Sequence, residues 1–160
     1  MPLSPQDVRA GAADELRFLM WWHRFRRKAV GPAHLRTGEW GEQVAEKFLK
    51  KAGFRSLGRR VRVGPRDELD LVMRSGEILV FVEVKTRRSE DFGRPYSAVN
   101  RKKKLALSRA AIRYMMDLKE KPRYFRFDVV EVVGEPDEAS PEVRHIENAF
   151  PLDSRYQLPY

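Results

Sequence analysis

Apolar positions in the first third of the chain recur at helical spacing. From Thr37 to Ala52, apolar side chains return every three or four residues, and Gly53 follows as a stop signal. This spacing predicts a helix. The small residues Gly38 and Gly41 near its start predict that the helix approaches a sheet closely.

The pattern then changes to the two-residue period of strands. Ser56–Val63 alternates basic and apolar residues, which predicts an edge strand. Leu69–Arg74, a Ser75–Gly76 turn and Ile78–Lys85 predict a hairpin whose second arm is apolar enough to lie centrally in a sheet.

A second helix is predicted over Val99–Leu118, followed by a strand at Arg126–Val133. Gly134–Pro141 has the composition of a loop, and Val143–Ile146 predicts a short final strand. This order of elements favours a mixed sheet flanked by helices, in an α/β or α+β fold.

The first 35 residues differ from the rest and predict a separate extension. Residues 16–25 mix apolar and basic side chains in a plausible helix, which could pack on the domain, dock a partner or touch a membrane surface. Packing is the default interpretation. The chain is therefore divided into an extension (1–35), a domain (36–150) and a tail (151–160).

The net charge of the chain favours polyanions as binding partners. The 160 residues include 32 Lys and Arg against 23 Asp and Glu, a net charge of +9, and the basic residues occur in runs. This pattern favours nucleic acid over a purely solubilising role. The absence of cysteine excludes disulfides, zinc–thiolate sites and thiol nucleophiles, and with no secretory signal or spanning segment a cytoplasmic location is expected.

The hairpin carries the candidate chemistry, since a buried strand should not end in two charges without compensation. Alternation puts Glu83 and Lys85 on one face, and a turn at Ser75–Gly76 would place Asp70 opposite Phe81, diagonal to Glu83 on that same face. Two carboxylates so placed can share one hard cation.

Magnesium or manganese suits such a site, because both prefer oxygen ligands. Asp70, Glu83 and the Val84 carbonyl are the expected metal ligands, and Lys85 would orient water or offset developing charge. Glu42 is a candidate fourth member, because helical spacing places it at the border of the buried face.

Several separated blocks resemble the bacterial YraN family. The resemblance runs from about Thr37 to Phe150, and the matching blocks are Gly38–Ala45, Glu68–Leu71, Phe81–Arg87, Phe92–Gly93 and Arg126–Val129. That family is similar to restriction-endonuclease-like PD-(D/E)XK nucleases, including Holliday junction resolvases. The resemblance implies an α/β fold with an αβββαβ core, metal ligands Asp70 and Glu83, catalytic Lys85 and a helix carboxylate at Glu42. One departure is Asp67, where the family usually has glycine.

The basic runs are candidates for binding the DNA backbone. Four consecutive cations open the second predicted helix, where they oppose the helix dipole, so a phosphate-binding role is favoured. The candidate nucleic-acid-binding residues are Arg59, Arg60, Arg87, Arg88, Arg101, Lys102, Lys103 and Lys104.

The leading hypothesis is a metal-dependent endonuclease acting on DNA, with branched or damaged DNA as candidate substrates. Alternatives are a non-catalytic nucleic-acid-binding module and an adaptor working through the N-terminal extension. The acidic and basic residues of the hairpin could also be a structural ion-pair network. A homodimer is compatible with the family, and Asp128 is expected to be a sheet-edge or salt-bridge residue.

Overall fold

A computed structural model describes residues 33–88, 99–136 and 140–158, all within a unit spanning residues 31–160. This part of the chain contains helices α1 (Ala33–Lys51) and α2 (Arg101–Asp117) and strands β1 (Arg55–Val63), β2 (Asp67–Ser75), β3 (Ile78–Arg87), β4 (Tyr124–Val133) and β5 (Glu142–Phe150). The order αβββαββ confirms the predicted α/β core. The extension expected over residues 1–35 lies outside the described residues except for its last three.

The strands form one sheet in the order β1-β2-β3-β4-β5. Only β3 and β4 are parallel, and the other neighbours are antiparallel. Parallel strands need a crossover connection, which α2 supplies between β3 and β4. As predicted, β1 lies at an edge and the second arm of the hairpin, β3, lies at the centre.

The two helices pack on opposite faces of the sheet. Ala45 and Leu49 of α1 belong to one buried apolar cluster with Val80 and Val82 of β3. Phe81 points the other way and meets Tyr114 of α2 edge to face, with 5.8 Å between ring centroids. Alternation along β3 therefore directs its odd-numbered side chains, including Glu83, toward the face that α2 covers.

The hairpin turn lies one residue further along the chain than predicted. Ser75 pairs with Ile78, so the turn residues are Gly76 and Glu77, and Gly76 has a φ of +57°. A type II′ turn requires glycine at this first central position, whereas the predicted turn would strain Ser75. The predicted pairing of Asp70 with Phe81 was wrong, but the shift of two positions keeps every side chain on its predicted face.

Gly41 brings α1 against β3. A Cβ atom at this position would overlap the Thr86 hydroxyl oxygen and lie 3.0 Å from Thr86 Cβ. A Cβ at Gly38 would meet nothing within 4 Å. The predicted close approach of helix and sheet therefore depends on Gly41 and not on Gly38.

Asp67, the departure from the family pattern, ties the start of β2 to α2. Its buried carboxylate accepts hydrogen bonds from Arg109 at 2.8 and 2.6 Å and from Arg113 at 3.2 Å. These charge-assisted bonds compensate the buried charge. The additional acidic residue therefore holds the helix that contributes Lys103 to the pocket described below.

Asp128 is a buried salt-bridge residue, which confirms one of its two predicted roles. Its carboxylate lies 2.8 Å from His145 Nε2 and 3.0 Å from Arg126 Nε, and it accepts a hydrogen bond of 2.9 Å from the Asn148 N–H. These contacts anchor β5 to β4 at the irregularity between Phe127 and Val129. Within the described ranges, neither helix is long and apolar enough to cross a membrane.

Candidate functional site

Asp70 and Glu83 face each other where β2 and β3 begin to separate. The paired positions run as far as Leu71 and Val82, and the next residues on each strand are Asp70 and Glu83. Beyond this point the Val84 N–H donates to Asp70 Oδ2 at 2.9 Å, so a side chain replaces the next ladder bond. The corrected register thus places the two carboxylates directly across from one another.

Burial and mutual repulsion raise the pKa of Asp70 well above its ordinary value, with burial the larger cause and the Glu83 charge the second. The hydrogen bond from Val84 opposes this shift without cancelling it. Two adjacent carboxyl groups in a poorly solvated site favour an additional positive charge between them. Either a shared proton or a bound cation can supply this charge.

Two lysines lie beside Glu83, one at each carboxylate oxygen. Lys85 donates a hydrogen bond to Glu83 Oε1 at 2.7 Å from the same face of β3. Lys103, in the first turn of α2, places its Nζ 3.0 Å from Glu83 Oε2. Burial lowers the pKa of Lys103, but attraction by Glu83 and Asp70 outweighs it, so the net shift is upward.

Glu42 approaches the same region from α1. Its side chain is buried, and burial together with the Asp70 charge raises its pKa to about 7. The Arg60 guanidinium lies 3.8 Å from Glu42 Oε2 and partly opposes this shift. Glu42 is therefore a carboxyl group that titrates near neutral pH.

These side chains line a shared pocket of about 520 Å³. Its lining combines residues of both helices and the hairpin, namely Thr37, Gly38, Glu42, Asp70, Glu83, Val84, Thr86, Arg88 and Lys103. The pocket thus brings together all the expected metal ligands and the helix carboxylate. The expected catalytic Lys85 is not among the lining residues, and its link to the site is its hydrogen bond to Glu83.

The donor set fits a hydrated divalent cation. Buried Glu42 Oε2 and Glu83 Oε2 have no hydrogen-bond partner among the described residues, although each lies near a cationic group. No group of three or more His, Cys, Asp or Glu side chains in those residues forms a ready-made metal cluster. Magnesium commonly uses only one or two protein carboxylates and completes its shell with water and substrate oxygens, so Asp70 and Glu83 suffice.

Apart from Lys103, described above, the predicted phosphate-binding cations occupy four different environments. Arg88 lines the pocket with its Nε 3.3 Å from Glu135 Oε1, and Arg101 and Lys102 are exposed at the start of α2. Arg59 is 3.2 Å from Glu46, and Arg60 pairs with Glu39, Glu42 and Glu68. The remaining two candidates are half-buried Arg87 and Lys104, whose Nζ lies 5.5 Å from the Phe150 ring centroid.

Arg60 adopts an unusual backbone conformation beside the site. Its φ of +52° is in the left-handed region that favours glycine. This conformation accompanies ion pairs that reach from β1 to α1 and β2. Arg60 therefore contacts Glu42 from the edge strand of the sheet.

Two participants were not assigned these positions by sequence reasoning. Lys103 was grouped with surface cations, and only the long-range packing of α2 brings it to Glu83. Thr86 lines the pocket and contacts α1 near Gly41.

Comparison with known proteins identifies the family. The model of the uncharacterised protein family UPF0102 matches residues 41–132. The chain belongs to this family. UPF0102 is the YraN family, so the resemblance seen in the sequence is confirmed.

Individual UPF0102 proteins are similar in sequence to this chain over most of their own length. A UPF0102 protein of Symbiobacterium thermophilum is 46% identical over an alignment covering 72% of this chain and 96% of the relative. One from Geotalea daltonii is 43% identical, covering 72% and 89%, and one from Clostridium acetobutylicum is 39% identical, covering 81% and 99%. Most of the shared sequence thus corresponds to the domain that holds the pocket.

Proposed function

We propose that this chain is a metal-dependent endonuclease that hydrolyses phosphodiester bonds in DNA. The observation that carries the proposal is the juxtaposition of Asp70 and Glu83 across the hairpin, with Lys85 bonded to Glu83. Raised carboxyl pKa values in a cleft are typical of functional sites and provide independent support.

Each residue then has a chemical role. Asp70 and Glu83 would hold Mg²⁺ or Mn²⁺, with the Val84 carbonyl as a further candidate ligand. When bound, such a cation activates water and stabilises negative charge on the phosphate. Lys85 stabilises charge that develops during attack, because Glu83 holds its ammonium group in place. Glu42, with a pKa of about 7, can accept a proton near neutral pH.

The substrate would be held outside this centre by cations. Arg88, which lines the pocket, and the exposed Arg101 and Lys102 are the cations proposed to contact backbone phosphates. The net charge of +9 supports attraction of a polyanion at longer range. Branched or damaged DNA remains the candidate substrate class.

Cleavage assays test the proposal directly. Purified protein is incubated with labelled linear, single-stranded and four-way DNA in the presence of Mg²⁺, Mn²⁺ or EDTA. We expect cation-dependent cleavage that falls at least about 100-fold in Glu83→Gln and Lys85→Met. Glu77→Gln is the matched control, because it removes the same charge at the exposed turn of the same hairpin. Cleavage that survives Glu83→Gln, or that persists in EDTA, would refute the proposal.

A second candidate function is a DNA-binding module without catalysis. One observation favours it: both Glu83 oxygens already have an ammonium group within 3.0 Å, so the charge is compensated by the protein itself. Calorimetric titration with Mn²⁺ separates the two functions. Manganese binding that Glu83→Gln abolishes supports the nuclease, and DNA binding without any manganese uptake supports the module.

A further inference from the structure

Lys103 comes to the pocket from a different element than the hairpin residues. Its backbone N–H is fixed by the Asn100 side chain, which caps α2 with a hydrogen bond of 2.9 Å. Its side chain is 37% exposed and extends from this anchored turn to Glu83, which is 2% exposed. The backbone is thus held by the cap while the long side chain retains freedom to move.

The two oxygens of Glu83 are not equivalent. Oε1 accepts a hydrogen bond from Lys85, its neighbour on the same face of β3. Oε2 has no hydrogen-bond partner among the described residues, although Lys103 Nζ lies 3.0 Å away. Lys103 therefore neutralises the very oxygen that is available to a metal ion.

An ammonium group and a divalent cation that both contact this oxygen would repel each other. Magnesium binds carboxylate oxygens at about 2.0–2.1 Å, and two positive charges at such distances repel strongly. We propose that Lys103 is a resident counter-ion of Glu83 that a divalent cation displaces when it binds. This inference rests on the proposed metal centre and adds a residue that regulates its occupancy.

Displacement gives Lys103 a second position. The released ammonium group would remain at the pocket that Lys103 lines, where it can meet a substrate phosphate. Lys103 thus lowers the affinity of the empty site for metal and adds positive charge beside the substrate once metal is present. A purely structural salt bridge would have neither effect.

The expected change in manganese affinity follows from the solvent exposure of the Lys103–Glu83 ion pair. A partly exposed pair contributes up to roughly 1 kcal/mol, which corresponds to at most about a fivefold change in an equilibrium constant. Lys103→Met should therefore tighten Mn²⁺ binding about two- to fivefold, as measured by isothermal titration calorimetry without substrate. Lys103→Arg retains the charge and should stay near the wild-type affinity.

Two further variants serve as controls. Lys119→Met removes the same charge from an exposed position beyond the end of α2 and should leave manganese affinity unchanged. Glu83→Gln should abolish the binding event being measured. Circular dichroism checks that each variant is folded, and the Asn100 cap is unaffected because it uses the Lys103 backbone.

The outcomes are distinguishable. If wild-type protein and Lys103→Met both fail to take up manganese, both the proposed metal centre and the counter-ion role of Lys103 are refuted. If manganese binds and Glu83→Gln abolishes it, but Lys103→Met does not bind more tightly than Lys103→Arg, only the counter-ion role is refuted.

Discussion

Two glycines in α1 provide a matched test of how the helix meets the sheet. Alanine is favoured over glycine in a helix interior by about 1 kcal/mol. At Gly38 an added methyl group meets nothing within 4 Å, so Gly38→Ala should raise the free energy of unfolding by about that amount.

Gly41→Ala receives the same helical benefit but creates a steric conflict. Its methyl group would overlap the Thr86 hydroxyl and lie 3.0 Å from Thr86 Cβ. Rotation of the Thr86 side chain moves the hydroxyl but not the Cβ atom, so the backbone of α1 or β3 must shift. Overpacking of this kind costs about 1–3 kcal/mol, and Gly41→Ala should therefore be less stable than Gly38→Ala by that difference.

Urea unfolding followed by circular dichroism measures both variants. The expected result is a higher midpoint for Gly38→Ala and a lower one for Gly41→Ala, with unchanged slopes. In a Thr86→Ala background the penalty at Gly41 should shrink. Equal midpoints for the two alanine variants would refute the proposed close approach at Gly41.

Three further predictions concern carboxylates. Asp67→Asn should lower the free energy of unfolding by about 1–3 kcal/mol through loss of its charged bonds to Arg109. Because those bonds lower the pKa of Asp67 below its ordinary 3.8, the difference from wild type in urea titrations should persist above that pH and vanish as the pH falls through the lowered value. Glu42→Gln should become more stable than wild type, by about 1–3 kcal/mol, as the pH rises from about 4.5 to about 7 in EDTA, since folding raises the pKa of Glu42 and ionisation then opposes folding; a pH-independent difference would contradict this. Asp128→Ala should cost about 3–5 kcal/mol in thermal or urea unfolding, because it removes the fully buried carboxylate that pairs with the half-buried His145 and Arg126, and a loss below 1 kcal/mol would contradict this role.

Local patterns were sufficient to predict most of the elements. Helical spacing located α1, although the helix begins at Ala33 rather than Thr37, and alternation located β1 and the hairpin. Because side chains alternate between the two faces of a strand, Asp70, Glu83 and Lys85 could be placed on one face without knowledge of the exact register. This inference survived the wrong turn because a hairpin register error of two positions preserves the faces.

The turn could have been assigned correctly from its chemistry. A two-residue turn beginning with Gly76 satisfies a type II′ geometry, whereas one beginning with Ser75 places serine in a disfavoured conformation. By contrast, the contact between Lys103 and Glu83 joins residues of α2 and β3, and its formation depends on tertiary packing. Local sequence patterns contain no information about such a contact.

The short connection between β2 and β3 has a consequence for folding kinetics. Asp70 and Val84, which are joined by a side-chain hydrogen bond, are only 14 residues apart, so closing this loop costs little chain entropy. An isolated two-stranded ribbon is only marginally stable in water, and this one gains its lasting stability when β4 aligns alongside β3. The pairing of Asp70 with Glu83 thus depends on residues close together in the chain, whereas the stability of this ribbon depends on pairing with β4, which lies about 40 residues further along.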